Sequence, residues 1–229
     1  MQGEFASFFN KIVDEIITYC ENKSEVTTVE MRFYGGWTIQ NSLTDRASQL
    51  LINIGIVNEK VYPVLDRFVS VNCELATNLI NYRDLVISNT LRQRNGTRRL
   101  RINREMLSET CELNRSCCPI HILNKFTRKK NKICSVEDCT CQQNQAFLQN
   151  EQKQVDTHIA CDILDSIEDN DVKGILMISG DVDILPPMLL ASARSPGSDL
   201  NYILPKRIEK NNDKLLAYIK SFGINTYEL

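Results

Sequence analysis

The apolar run Ile175–Ile178 restricts the fold of this chain most. It is too short for a helix, and it lies between two stretches of helical periodicity. Before it, DTHIACDILDSIE at 156–168 puts Ile159, Ile163, Leu164 and Ile167 on one face. After it, Ile184 to Arg194 reads as a helix interrupted early by Pro186-Pro187. Leu200–Leu204 reads as a second strand, and Lys210–Phe222 as a final helix stopped by Gly223. A short, wholly apolar strand suits a parallel sheet covered on both faces. Strand, helix, strand, helix at this spacing predicts an α/β fold, a parallel sheet with helices on both faces.

The amino-terminal half adds to that pattern. FASFFNKIVDEIITYC at 5–20 repeats Phe5, Phe8, Phe9, Ile12, Val13, Ile16 and Ile17 at helical spacing. TTVEMRFY at 27–34 reads as a strand ended by Gly35-Gly36, and 42–54 as a helix with Ser42 at its N-cap. Val57–Val64, which contains Pro63, reads as extended or looped, and RFVSVNCEL at 67–75 as a short strand. Leu85–Leu91 and Arg98–Ile102 flank Asn95-Gly96, a strong turn signal, and predict an arginine-rich hairpin. Trp37 suits either a core or a base-stacking position. The 229 residues suit a single domain spanning 1–229, with an insertion at 111–150. No apolar run approaches the ~20 residues of a membrane helix. The opening MQGEFASFFNKIVDEI, with Glu4 and Asp14, lacks the pattern of a signal peptide. The expectation is a cytoplasmic protein with no membrane contact.

The net charge of -2 is unevenly spread. From Arg83 to Lys132 there are 13 Lys or Arg against 4 Asp or Glu, a local +9, and the remainder carries -11. A basic middle beside an acidic remainder fits a surface that meets phosphates, although a solvated loop has the same composition. Arg98, Arg99 and Arg101 are the candidate phosphate contacts, and RNA or another nucleic acid is the expected partner. Homo-oligomerisation is left open.

Six of the nine cysteines fall between Cys111 and Cys141, in a stretch poor in Leu, Ile and Val. Such an insertion needs a staple other than an apolar core. With no secretory signal, metal is a better explanation than disulfides. Zinc in a structural site takes four ligands and supplies folding energy. Cys118, His121, Cys134 and Cys139 form the candidate set; Cys117 competes with Cys118, and Cys111 can join. Cys20, Cys73 and Cys161 sit in periodic apolar contexts and read as buried small hydrophobes.

ISGDVD, at the carboxyl end of the 175–178 strand, is the sharpest motif. Ligand sites of open α/β sheets lie at that edge. Gly180 permits a tight turn, and Asp181 and Asp183 at the start of the next helix offer hard oxygen donors suited to magnesium or manganese. An Asx turn with a helix cap explains the same string.

The wider run VDTHIACDILDSIEDNDVKGILMISGDVDILPPMLLASARSPGSDLNYILP resembles the NYN family of PIN-like nucleases. Val155-Asp156 opening a helix, a second acid at Asp162 and a strand ending in Ser179 through Asp183 carry the resemblance over residues 152–205. RFYGG at 32–36 resembles the family's second strand more loosely. The resemblance implies a PIN-like, Rossmann-like fold and a metal-dependent endoribonuclease. Asp156, Asp181 and Asp183 would then be the catalytic acids holding Mg2+ or Mn2+, with Asp162 less firmly placed. The family pattern also opens with an apolar strand ending in Asp. MQGEF carries neither, and Glu4 is the nearest acid. A catalytically inactive nucleic-acid-binding module and a protein-interaction subunit are therefore the rival expectations.

Overall fold

A computed structural model describes residues 2–57, 60–96, 102–128, 132–134, 138–204 and 212–228. The chain divides into two compact units, residues 1–90 with 152–229, and residues 91–151. The first unit begins with α1 (Gln2–Glu21), β1 (Thr28–Phe33), β2 (Thr38–Ile39), β3 (Ser42–Leu43), α2 (Asp45–Val57), β4 (Lys60–Val64) and β5 (Arg67–Leu75). The second contains β6 (Leu91–Asn95), α3 (Glu109–Leu113), α4 (Pro119–Thr127), α5 (Gln143–Ala146) and β7 (Leu148–Gln152). The chain then returns to the first unit with α6 (Val155–Ser166), β8 (Gly174–Ile178), α7 (Leu185–Arg194), β9 (Asp199–Leu204), α8 (Asn212–Lys220) and β10 (Asn225–Glu228).

The first unit is α/β, with mixed strand directions rather than one parallel sheet. β4, β5 and β1 form one sheet in which β5 runs parallel to β1 and antiparallel to β4. β8, β9 and β10 form a second sheet that is parallel throughout. Pro63 lies on the edge strand β4, where a missing donor is tolerated.

Helices flank both sheets, although the β4-β5-β1 sheet buries only the face that carries Val69, Val71, Cys73 and Leu75 of β5. The stripe Phe9, Ile12, Val13 and Ile16 of α1 is buried, as its spacing predicts; the side chains of Phe5 and Phe8 lie outside the described residues. Phe9 and Val13 join Trp37, Ile54 and Val71 in one core cluster. Ile12 and Ile16 join Cys20, Val64 and Val69 in a second. Against the second sheet, Ile159 and Ile163 of α6 and Met188 of α7 pack with Leu200, Tyr202 and Leu204 of β9.

Several local readings are corrected. α2 is capped by Thr44, whose Oγ1 accepts from the Ala47 amide at 3.2 Å, because Ser42 is taken up in the small β2–β3 hairpin. Pro186-Pro187 does not interrupt α7 but lies in its first turn, where no amide donor is needed. Cys161 is exposed; two residues from Ile159 and from Ile163, it falls on the opposite side of the helix. Leu85 to Thr90 is not a strand, and β6 pairs with β7 rather than with 98–102. Arg98, Arg99 and Arg101 lie outside the described residues.

The second unit has little apolar interior. Its buried described side chains are Cys118 and the polar Asn124, Thr127 and Gln143, while Met106, Leu113 and Leu148 are exposed. Phe126 and Phe147 make an edge contact at 6.0 Å.

Candidate acidic site and cysteine cluster

β8 continues one step beyond Ile178, where the Ser179 amide donates to the Ile203 carbonyl at 3.2 Å. The chain then turns. The Asp181 amide donates to Ser179 Oγ at 3.0 Å, and the Asp183 amide donates to Asp181 Oδ1 at 3.0 Å. Beneath the turn lies the wholly buried Tyr202, whose hydroxyl donates to the Asp181 carbonyl at 3.1 Å. Burial raises the Tyr202 pKa, outweighing a hydrogen bond with Ser179, so the hydroxyl stays protonated and able to donate. The backbone of Asp181 is thus held from both sides, while its side chain caps the single 3-10 turn Val182–Ile184.

Asp181 and Asp183 are exposed, and so is Asp156 in the first turn of α6. Their neighbours fix the region: Val155 and Ile184 share one core cluster. The acids therefore flank a packed contact at the carboxyl end of a parallel strand. Their oxygen chemistry suits Mg2+ or Mn2+. Among the described residues, however, no three His, Cys, Asp or Glu side chains stand close enough together to hold one ion.

Asp162 has a different role. It is buried, and its carboxylate pairs with the Arg32 guanidinium. It also accepts from the Tyr34 hydroxyl at 2.7 Å and from the Ile80 amide at 3.0 Å. Arg32 extends to Glu74 at 2.6 Å and to the Asn78 carbonyl at 2.6 Å. His158, also buried, lies 2.7 Å from the Asn78 carbonyl and 3.4 Å from Asp162. A carbonyl can only accept, so this ring nitrogen carries the proton. Burial by itself would raise the Asp162 pKa. Hydrogen bonds from His158, Tyr34 and Ile80, with the Arg32 charge, outweigh it and hold the carboxyl below its ordinary value. A carboxylate so fully engaged is a structural anchor, not a free ligand.

Sequence reasoning passed over Arg32, Tyr34 and Tyr202. An arginine in a strand of Met and Phe was the available signal for Arg32, since a buried cation needs a partner. Nothing local marks Tyr202, because its role depends on pairing between β8 and β9.

In the second unit, Cys118 sits at the N-cap of α4. Its side chain makes no cap hydrogen bond, but the backbone of His121 first, and then Ile120 and Cys111, hold the Cys118 pKa below its ordinary value against the effect of burial. His121 Nε2 lies 3.5 Å from Glu112 Oε1, and both atoms are buried without a hydrogen bond. Among the described residues, then, Cys111, Glu112, Cys118 and His121 meet pairwise and do not bring three ligands to metal range. Cys134 pairs instead with Cys141, its amide donating to the Cys141 carbonyl at 2.9 Å beside the Ile133–Gln142 bridge. No such contact ties Cys139 to Cys118 or His121 among the described residues. Protein purified without chelator is expected to carry about one zinc per chain, as a four-ligand structural site would. Elemental analysis checks this. Cys118→Ser should lose the zinc, and Cys111→Ser against Cys139→Ser decides which cysteine completes the set.

No family model, curated protein or solved structure matches the chain. No helix among the described residues is long and apolar enough to cross a membrane.

Proposed function

We propose that the protein is a metal-dependent endoribonuclease of PIN-like type, with Asp156, Asp181 and Asp183 as its metal-binding acids. The observation that carries this reading is the placement of Asp181 and Asp183 at the carboxyl end of β8, beside the start of α6. That edge is where open parallel sheets bind ligands. A divalent ion held there would neutralise phosphate charge and lower the pKa of a bound water. The chain itself supplies the carboxylates and a turn fixed by Ser179 and Tyr202. Arg98, Arg99 and Arg101 would hold backbone phosphates, which gives position rather than sequence choice. Zinc would staple the second unit, whose buried side chains are mostly polar.

A non-catalytic nucleic-acid-binding module is the second reading. It is favoured by the absence, among the described residues, of any three ligands at metal range. A cleavage assay with Mn2+ over a panel of RNA and DNA separates the two. Metal-dependent cleavage of RNA supports the enzyme. Salt-sensitive RNA binding with no cleavage at any Mn2+ concentration supports the module.

A further inference from the structure

β1 and β8 each carry an open edge. Among the described residues β1 pairs only with β5, and β8 only with β9. The two do not lie side by side as paired strands do. Yet both rest on one core cluster: Val29 and Met31 of β1 and Leu176 and Ile178 of β8 pack against the group built around Ile12, Ile16 and Cys20 of α1. One helix with its side chains is about 10–12 Å across. Strands paired to a common neighbour stand about 9–10 Å apart, twice the strand spacing. A single helix can therefore span two strands with one position between them.

The open strands also run the same way. Tyr34, directly after β1, sets its ring against His158 of α6 at 5.2 Å. The Val182–Ile184 turn, just after β8, packs Ile184 with Val155 and Ile159 of the same helix. At the opposite end, Tyr19 of α1 donates to Asp199 at 2.6 Å, and Asp199 is paired with Gly174 at the start of β8. Val26, just before β1, packs with Cys20 of α1. Both carboxyl ends thus meet α6, and both amino ends meet the end of α1.

Exposure agrees with a missing neighbour. β8 is Gly-Ile-Leu-Met-Ile, a composition for a strand buried on both sides, yet all five residues are only half-buried. Leu200 to Leu204 in adjacent β9 are fully buried. An apolar strand edge with unpaired N–H and C=O groups is a template for another strand.

We infer that the interval between β1 and β8 is a receptor for one extended segment of a partner polypeptide, entering parallel to both strands. Its chemistry follows from the walls. The four β1 and β8 side chains in the α1 cluster are uncharged; on the other face of β1 the Arg32 charge is neutralised by Asp162 and Glu74, and Glu30 adds an exposed carboxylate that accepts from Asn72 Nδ2 at 2.8 Å. The occupant is therefore a β-branched stretch about as long as β8, without acidic residues that would face Glu30 and without proline, since it must complete two hydrogen-bond ladders. A second copy of this chain is a poorer donor, because every apolar strand among the described residues already belongs to a sheet. The inference stands apart from the nuclease reading.

The test is amide hydrogen exchange on the full chain, with a synthetic decapeptide whose central residues are Val, Ile and Thr and whose ends carry Lys. Amides of both β1 and β8 should exchange at least about tenfold more slowly with the peptide, the mark of a local opening made harder. A peptide with a central Pro should have no effect. Ile178→Asp, checked for folding by circular dichroism, should abolish the protection; if it does not fold, Met31→Asp takes its place. Protection of only one strand, or of neither, overturns the inference. Full protection without peptide overturns it too: at monomer mass the strands pair directly, and at doubled mass a second copy is the occupant.

Discussion

Replacing Asp162 with Ala is expected to cost about 3–5 kcal/mol of folding stability, the usual result of removing one partner of a buried ion pair. The loss comes from what remains. Arg32 and Asp162 each have side chains only 4% exposed. Without the carboxylate, the guanidinium keeps Glu74 and the Asn78 carbonyl but loses its buried counter-charge. The Tyr34 hydroxyl and the Ile80 amide lose their acceptor as well. For a chain of this size the loss corresponds to a fall in Tm of roughly 6–20 °C. Urea melts of wild type and variant would measure it. Joining Arg32→Met to Asp162→Leu should recover much of the loss, because no charge is then left unpaired. A double variant as unstable as the sum of the singles would show that shape, not charge, holds this region.

The same group gives a pH dependence with a definite sign. The folded pKa of Asp162 is depressed relative to the unfolded chain. The unfolded state therefore binds the proton more readily, and the contribution of Asp162 is fully present above the unfolded value of about 3.9. It is lost as pH falls through the lower folded value. The stability gap between wild type and Asp162→Ala should thus be constant near neutrality and shrink only in acid, below about pH 4.

The parts of this fold that were legible in the sequence are those set by local period. The stripe of α1, the inward face of α6 and the short apolar β8 are each fixed by residues close in sequence. The edge position of Asp181 followed from the same reading, since a strand that ends in Ser-Gly-Asp must place its acid at the strand's end. What escaped was decided at a distance. Asp162 reads as a second acid within a helix, and only Arg32, 130 positions away, makes it structural. Asn95-Gly96 signals a hairpin turn, but Asn95 ends β6, Gly96 donates to the Phe147 carbonyl, and β6 pairs with β7, far along the chain. β10, Asn-Thr-Tyr-Glu, has no apolar pattern and is a strand because β9 offers it an edge. The division into two sheets was equally hidden, since a strand's sequence does not reveal whether both of its edges are filled.

Asp181→Asn is expected to abolish metal-dependent RNA cleavage while leaving the fold intact. Asn is nearly the size of Asp and is an equally good capping residue, so the bond from the Asp183 amide survives the change. The Ser179 and Tyr202 bonds reach the backbone of residue 181 and are untouched. Stability should therefore move by no more than about 0.5 kcal/mol. Asp181→Ala, which deletes the cap, should cost about 1 kcal/mol and serves as the structural control. What Asn cannot supply is negative charge. If the carboxylate binds the ion, Mn2+ affinity and turnover should fall together, by more than the 10–100-fold typical of residues that only orient a ligand. Tyr202→Phe, which frees the Asp181 carbonyl but leaves the carboxylate, should produce a loss within that smaller range. Asp183→Asn should resemble Asp181→Asn. Calorimetric Mn2+ titration tests the carboxylate directly, whether or not cleavage is seen. Equal affinity in wild type and Asp181→Asn would leave Asp181 as a cap alone, and the nucleic-acid-binding module would then become the better reading.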